Sequence, residues 1–110
     1  KIALGYLLEK GYRFLRQHYQ CRYGEIDLIM NDHSEIVFIE VKYRKLLDSG
    51  YPEDMVDRRK IKNLMKTANH FLQHSKIDSF FRYDIVAISG DTMPYEIEHF
   101  KDTIRVDHTI

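Results

Sequence analysis

Cys21 is the only cysteine in this 110-residue chain. That excludes an internal disulfide and a paired-thiolate metal site, and leaves a buried or idle thiol. Prolines number two and glycines five, and no Pro/Gly/Ser-rich linker, internal repeat or low-complexity tract divides the chain. A single domain over residues 1–110 is therefore expected. No apolar run approaches the length of a bilayer span, and the first residues lack the pattern of a secretory leader. The expectation is a soluble, cytoplasmic protein with no membrane partner. The chain opens on Lys1 rather than methionine, which suggests a truncated N-terminus.

Net charge is also missing: Lys plus Arg and Asp plus Glu are 17 each, so charge alone gives no reason to expect a nucleic-acid partner. Its distribution is uneven. In residues 1–22, Lys1, Lys10, Arg13, Arg16 and Arg22 face one acid, Glu9. In residues 42–66, eight bases face Asp48, Glu53, Asp54 and Asp57, whereas acids predominate over residues 79–110. This segregation permits a basic face, although charge alone favours ordinary solvated surface. Apolar residues make up 44%, enough for a packed core and against a disordered chain.

Ala3, Leu4, Leu7 and Leu8 recur at helical spacing, and Gly11 follows as the residue best able to end a helix. Aromatic-rich alternation from Tyr12 predicts a strand running towards Gln20. EIDLIM and EIVFIEVKYR flank the polar cluster NDHS and form the clearest hairpin in the sequence. Ile29, Ile36 and Phe38 are expected on one face, and Ile26, Leu28, Val37, Ile39 and Val41 on the other. Two apolar faces place this hairpin in mid-sheet beneath helices on both sides. Residues 46–52 carry loop formers. Ile61, Leu64, Met65, Ala68, Phe71 and Leu72 make a helical stripe, with Arg59, Lys62, Lys66 and His70 opposite. RYDIVAIS is a further two-sided strand, and residues 95–100 suggest an edge strand. The order α, β, β, β, α, β, β predicts an α/β fold with a mixed central sheet flanked by helices.

The chemistry lies in the hairpin. Residues two apart on a strand point the same way, so Glu25 aligns with Asp27 and Glu40 with Lys42. If NDHS is a four-residue loop, Asp27 lies opposite Phe38 and Glu25 opposite Glu40, and all four charges share a face. Carboxylates in such apolar surroundings need a partner, because unpaired buried charge is costly. A hard divalent cation, Mg²⁺ or Mn²⁺, is a natural one. Lys42 is placed to stabilise an attacking hydroxide or the charge building on phosphorus. The competing account is a cross-strand ion pair of Glu25 or Glu40 with Lys42 or Arg44.

The sequences EKGYRFL, YGEIDLIM, VFIEVKYR and RYDIVAI, with Val56, Lys60, Ala68 and Leu72 between them, resemble the YraN-like family of small bacterial predicted endonucleases. That family falls in the PD-(D/E)XK, or restriction endonuclease-like, superfamily and is distantly similar to archaeal Holliday-junction resolvases. The resemblance covers nearly the whole chain. It implies an αβββαβ core, a metal held by Asp27, Glu40 and the carbonyl of Val41, and Lys42 as catalytic lysine. It also implies hydrolysis of DNA phosphodiester bonds, with branched or structured DNA as substrate. Ile26 stands where the superfamily name has proline, as in other YraN-like proteins. Many relatives carry a first-helix glutamate that would fall just before Lys1, and Glu9 is a poor substitute for it.

Lys60 sits at the edge of the apolar stripe, where it either leans towards the sheet as a supporting group or covers apolar surface with its stem. Arg59, Lys62 and Lys66 have the spacing of a phosphate-contacting stripe or of a solvated face. His70 and His74 stand four apart without an evident third ligand, which favours surface histidines. Tyr83 and Tyr95 are read as packing residues, and Arg82 with Asp84 as a structural ion pair. A metal-dependent endonuclease is the leading function. The alternative is a non-catalytic nucleic-acid-binding module that keeps the nuclease fold. The resolvase likeness allows a homodimer, for which the sequence carries no interface signal.

Overall fold

A computed structural model describes residues 2–45 and 58–104. The expected loop at residues 46–52, Val56, and the position before Lys1 lie outside the described residues. The elements are α1 (Ile2–Glu9), β1 (Arg13–Cys21), β2 (Gly24–Asp32), β3 (Glu35–Arg44), α2 (Arg58–His74), β4 (Phe80–Ser89) and β5 (Glu96–Phe100). This is the predicted order, with the edge strand present. The sheet runs β1-β2-β3-β4-β5. Only β3 and β4 are parallel, and α2 lies on the crossover between them, as a parallel pair requires.

The helix ends follow from their sequences. After α1, Gly11 takes φ 94°. Its N–H donates to the Leu8 carbonyl at 3.0 Å, while that of Tyr12 donates to Leu7 at 3.1 Å. This paired return is a Schellman motif, which needs a left-handed residue where glycine alone carries no Cβ penalty. It turns the chain directly into β1 and holds α1 against the sheet. At the start of β2, beneath Thr67 of α2, Gly24 takes φ 151°, a conformation that residues with a Cβ rarely adopt.

Each helix covers one apolar face. Ala3 and Leu7 of α1 and Tyr12 pack on Leu28, Met30, Val37, Ile39, Val86 and Ile88. Ala68 and Phe71 of α2 pack on Tyr19, Ile26, Ile29, Ile36, Phe38 and Tyr83. The two-sided hairpin is therefore in mid-sheet, as its composition predicted. Ile26 is a correction: it was expected with Leu28, yet it joins the α2 face. Ile26 and Leu28, two residues apart, thus face opposite sides of the sheet, and the break lies across from His18, which adopts φ 52° between the pairs Gln17↔Leu28 and Tyr19↔Ile26.

The hairpin turn is a second correction. Asp32 pairs with Glu35, so the strands run through Asn31 and Asp32 and the connection is His33–Ser34, with His33 at φ 59°. The register is Met30↔Val37 and Leu28↔Ile39, two residues away from that of a four-residue loop. A shift of two preserves face parity, but it brings Asp27, rather than Glu25, alongside Glu40.

At the turn end of the hairpin, Arg82 is a hub. It donates to Asp84 at 3.1 Å, to Glu35 at 2.6 Å and to the Tyr12 hydroxyl at 2.7 Å, and lies 3.1 Å from Asp32. Asp84 is fully buried and also accepts from His99 at 2.7 Å and from the Asp102 backbone at 2.9 Å. Burial pushes its carboxyl up, but the bonds from His99, Arg82 and the Asp102 N–H outweigh this and hold it below the usual carboxylate range. Among the described residues no buried side-chain nitrogen or oxygen lacks a partner.

Candidate active site

The β2–β3 ladder runs from Asp32↔Glu35 to Leu28↔Ile39. One step further, Asp27 and Glu40 come side by side at the end of the hairpin remote from its turn. There the Val41 N–H donates to Asp27 Oδ2 at 2.8 Å, so a carboxylate takes over from the strand ladder. The bond ties Asp27 to the middle residue of the Glu40-Val41-Lys42 triplet.

Glu40 is half-buried and lies on the α2 side of the sheet. Burial pushes its carboxyl up, and Asp27 pushes the same way; Lys60 and Lys42 oppose this without cancelling it. Lys60 Nζ stands 3.4 Å from Glu40 Oε2. Its place at the edge of the apolar stripe thus does aim it towards the sheet. Lys42 follows Glu40 on the same face of β3, in register with Ala87 of β4. The set brought together is Asp27, Glu40, Val41, Lys42 and Lys60.

Glu25 lies elsewhere. Expected opposite Glu40, it lies beyond the end of the β2–β3 ladder, whose register brings Asp27 to Glu40; on the β1 side it pairs with Gln20, and its Oε2 is 3.3 Å from His18 Nδ1. His18, Glu25 and Asp27 each offer a donor atom within 4.8 Å of the others. His18 is the residue the sequence reading missed. The available signal was the short step Arg22-Tyr23 before Gly24, which fixes Cys21↔Gly24 and so sets His18 across from Asp27.

Arg59, Lys62 and Lys66 are exposed along α2. Lys66 also stands 5.4 Å over the Tyr23 ring, and Arg22 lies 4.9 Å from that ring on its own side. His70, expected opposite the apolar stripe, is half-buried: its Nδ1 hydrogen-bonds the Tyr19 hydroxyl and its ring stacks on His74 at 3.9 Å. Tyr83 is a packing residue; burial alone pushes its phenol up to about 12. Tyr95 packs beside the α1-face core. No helix among the described residues is long and apolar enough to cross a membrane.

A five-stranded mixed sheet with one helix on each face, and acidic residues gathered at one strand end, defines an α/β protein compatible with a restriction-endonuclease-like core. The chain belongs to the uncharacterised protein family UPF0102, whose family model matches residues 1–88. This is the YraN-like grouping to which its motifs pointed. It is 45% identical over 100 residues to a UPF0102 protein of Psychromonas ingrahamii, covering 90% of this chain and 82% of that one. It is 40% identical to one of Syntrophus aciditrophicus over 107 residues, 96% of this chain and 84% of the relative. A UPF0102 protein of Coxiella burnetii is 41% identical over 110 residues, 98% of this chain and 89% of its own.

Proposed function

We propose that this protein is a divalent-metal-dependent endonuclease that hydrolyses DNA phosphodiester bonds, with branched or otherwise structured DNA as its substrate. The observation that carries the reading is the juxtaposition of Asp27 and Glu40 at an open strand end, with Glu40 under-compensated by its cationic neighbours. Two adjacent carboxylates, one of them half-buried, suit a hard cation with oxygen ligands, so Mg²⁺ or Mn²⁺ fits the donor set. Asp27, Glu40 and the carbonyl of Val41 would hold it. Such an ion supplies Lewis-acid polarisation of the phosphoryl group and a water of lowered pKa.

The protein's own groups do the rest. The Val41 N–H fixes the orientation of the Asp27 carboxylate. Lys42 offers an ammonium to the oxygens on which charge builds during displacement at phosphorus. Lys60 partly neutralises Glu40 while no substrate is bound. Arg59, Lys62 and Lys66 contact the phosphate backbone away from the cut and position the duplex without reading sequence.

The Lys60–Glu40 pair also favours a second reading, in which the acid is satisfied internally and the fold serves as a nucleic-acid-binding module without turnover. Cleavage of a panel of single-stranded, duplex, nicked and four-way-junction DNA, in Mg²⁺ and in Mn²⁺, separates the two. The protein tested should extend upstream of Lys1, with Asp27→Asn and Lys42→Ala as controls. Metal-dependent cutting that both substitutions abolish is expected. Cutting that survives both rejects the assigned centre, and salt-sensitive binding without cutting supports the module.

A further inference from the structure

We infer that His18, Glu25 and Asp27 form a second cation site, with a nitrogen donor, that takes a divalent first-row transition ion such as Mn²⁺ or Zn²⁺.

Three donors from two strands converge here, all within 4.8 Å of one another. The convergence depends on a local departure from strand geometry. In a regular strand, neighbouring side chains point to opposite faces. Yet Gln17 and His18 both line one cavity of about 140 Å³, as do Asp27 and Leu28 across from them. The left-handed backbone of His18 (φ 52°) accounts for the break in β1, and histidine is among the residues that tolerate this conformation. Ala3 of α1, Val41 and Tyr43 complete the wall, so the cavity opens on the α1 side, whereas Glu40 and Lys60 lie on the α2 side. Asp27 stands between the two.

The donor chemistry separates this site from the oxygen-only pair. A neutral imidazole with two carboxylates suits borderline cations, which accept nitrogen ligands, and offers no advantage to Mg²⁺, which prefers oxygen and water. His18 and Asp27 both line the cavity, and its volume leaves room for an ion with its remaining waters. The His18–Glu25 contact at 3.3 Å is then the resting arrangement of two ligands.

The inference extends the nuclease reading at Asp27, but binding rather than cleavage tests it, so the two can fail separately. Untagged protein is titrated with Mn²⁺ and followed by electron paramagnetic resonance, with pulsed detection of nitrogen coupling to the bound ion. Mg²⁺ affinity is measured alongside by calorimetry. His18→Asn keeps a residue suited to the left-handed backbone and removes the imidazole; Glu25→Gln keeps the size and removes the charge. Loss of even an outer-shell partner weakens metal sites by about 10- to 100-fold, so each variant is expected to weaken Mn²⁺ binding by at least about tenfold. Mg²⁺ binding should change by less than about threefold, and nitrogen coupling should vanish in His18→Asn. Coupling that persists in that variant, or Mn²⁺ affinity that neither variant moves, overturns the inference. Metal binding of the expected kind without any DNA cleavage leaves it standing and rejects the nuclease reading alone.

Discussion

The backbone N–H of Val41 donates to Asp27 Oδ2 at 2.8 Å, and this bond makes Asp27 structural as well as chemical. Asparagine retains a carbonyl acceptor for Val41, whereas alanine leaves the N–H without its carboxylate. Asp27→Ala should cost about 1 kcal/mol of stability more than Asp27→Asn, the usual net worth of a neutral hydrogen bond. Urea unfolding of the two variants measures the difference. Both should abolish cleavage, so activity and stability part company at this residue.

Lys60 places a positive charge 3.4 Å from a carboxylate oxygen of Glu40, where it competes with an incoming cation. Lys60→Gln should therefore raise Mg²⁺ affinity. The pair is partly solvent-exposed, so the gain should stay within about fivefold, in line with exposed ion pairs worth no more than about 1 kcal/mol. Calorimetric titration tests this, and weaker Mg²⁺ binding in the variant would place the cation away from Glu40.

Asp84 gives a pH signature. Its folded-state pKa lies below the ordinary value of 3.8, so the unfolded chain takes up this proton first as pH falls. The stabilisation is complete above that ordinary value and disappears as pH drops through the folded one. Asp84→Asn should cost about 3 kcal/mol at neutral pH, because it leaves Arg82 with one fewer buried counter-charge. The gap between wild type and variant should narrow below pH 3.8 in a series of urea unfolding curves.

The exposed stripe Arg59, Lys62 and Lys66 should contribute to DNA affinity without specificity. Replacing all three by glutamine should flatten the plot of log affinity against log salt by about two to three units, at about 0.9 per lost phosphate contact. Preference among DNA structures should be unchanged. Fluorescence anisotropy over a salt series on duplex and junction DNA measures both quantities.

The strands of the hairpin and the stripe of α2 were legible because apolar periodicity is a direct record of burial. The turn was not. Asn31 and Asp32 are polar and turn-forming, so they look like loop residues, yet both belong to β2 and Asp32 is held by Arg82, a partner fifty residues away in sequence. Because the displacement was even, Glu40 and Lys42 share a face as expected, whereas Asp27, expected with them, lines the cavity on the α1 side beside Leu28. Glu25 was displaced from Glu40 by the same turn error, but Ile26 was misplaced for another reason. The distortion at His18 arises in the pairing of β1 with β2, and no periodicity within β2 alone reveals it.

Arg82 fastens the turn end of the hairpin to β4 and, through Asp84 and His99, to β5, while the β2–β3 ladder gives out at Leu28↔Ile39. The hairpin is thus pinned at its tip by side chains and joined at the acids by the Val41–Asp27 bond in place of the ladder. Its amides should show a gradient of hydrogen exchange, slowest around Met30 and Val37 and quickening towards Val41. The acids thus stand where the backbone pairing of β2 with β3 has stopped, with the packed layers on both faces of the sheet behind them.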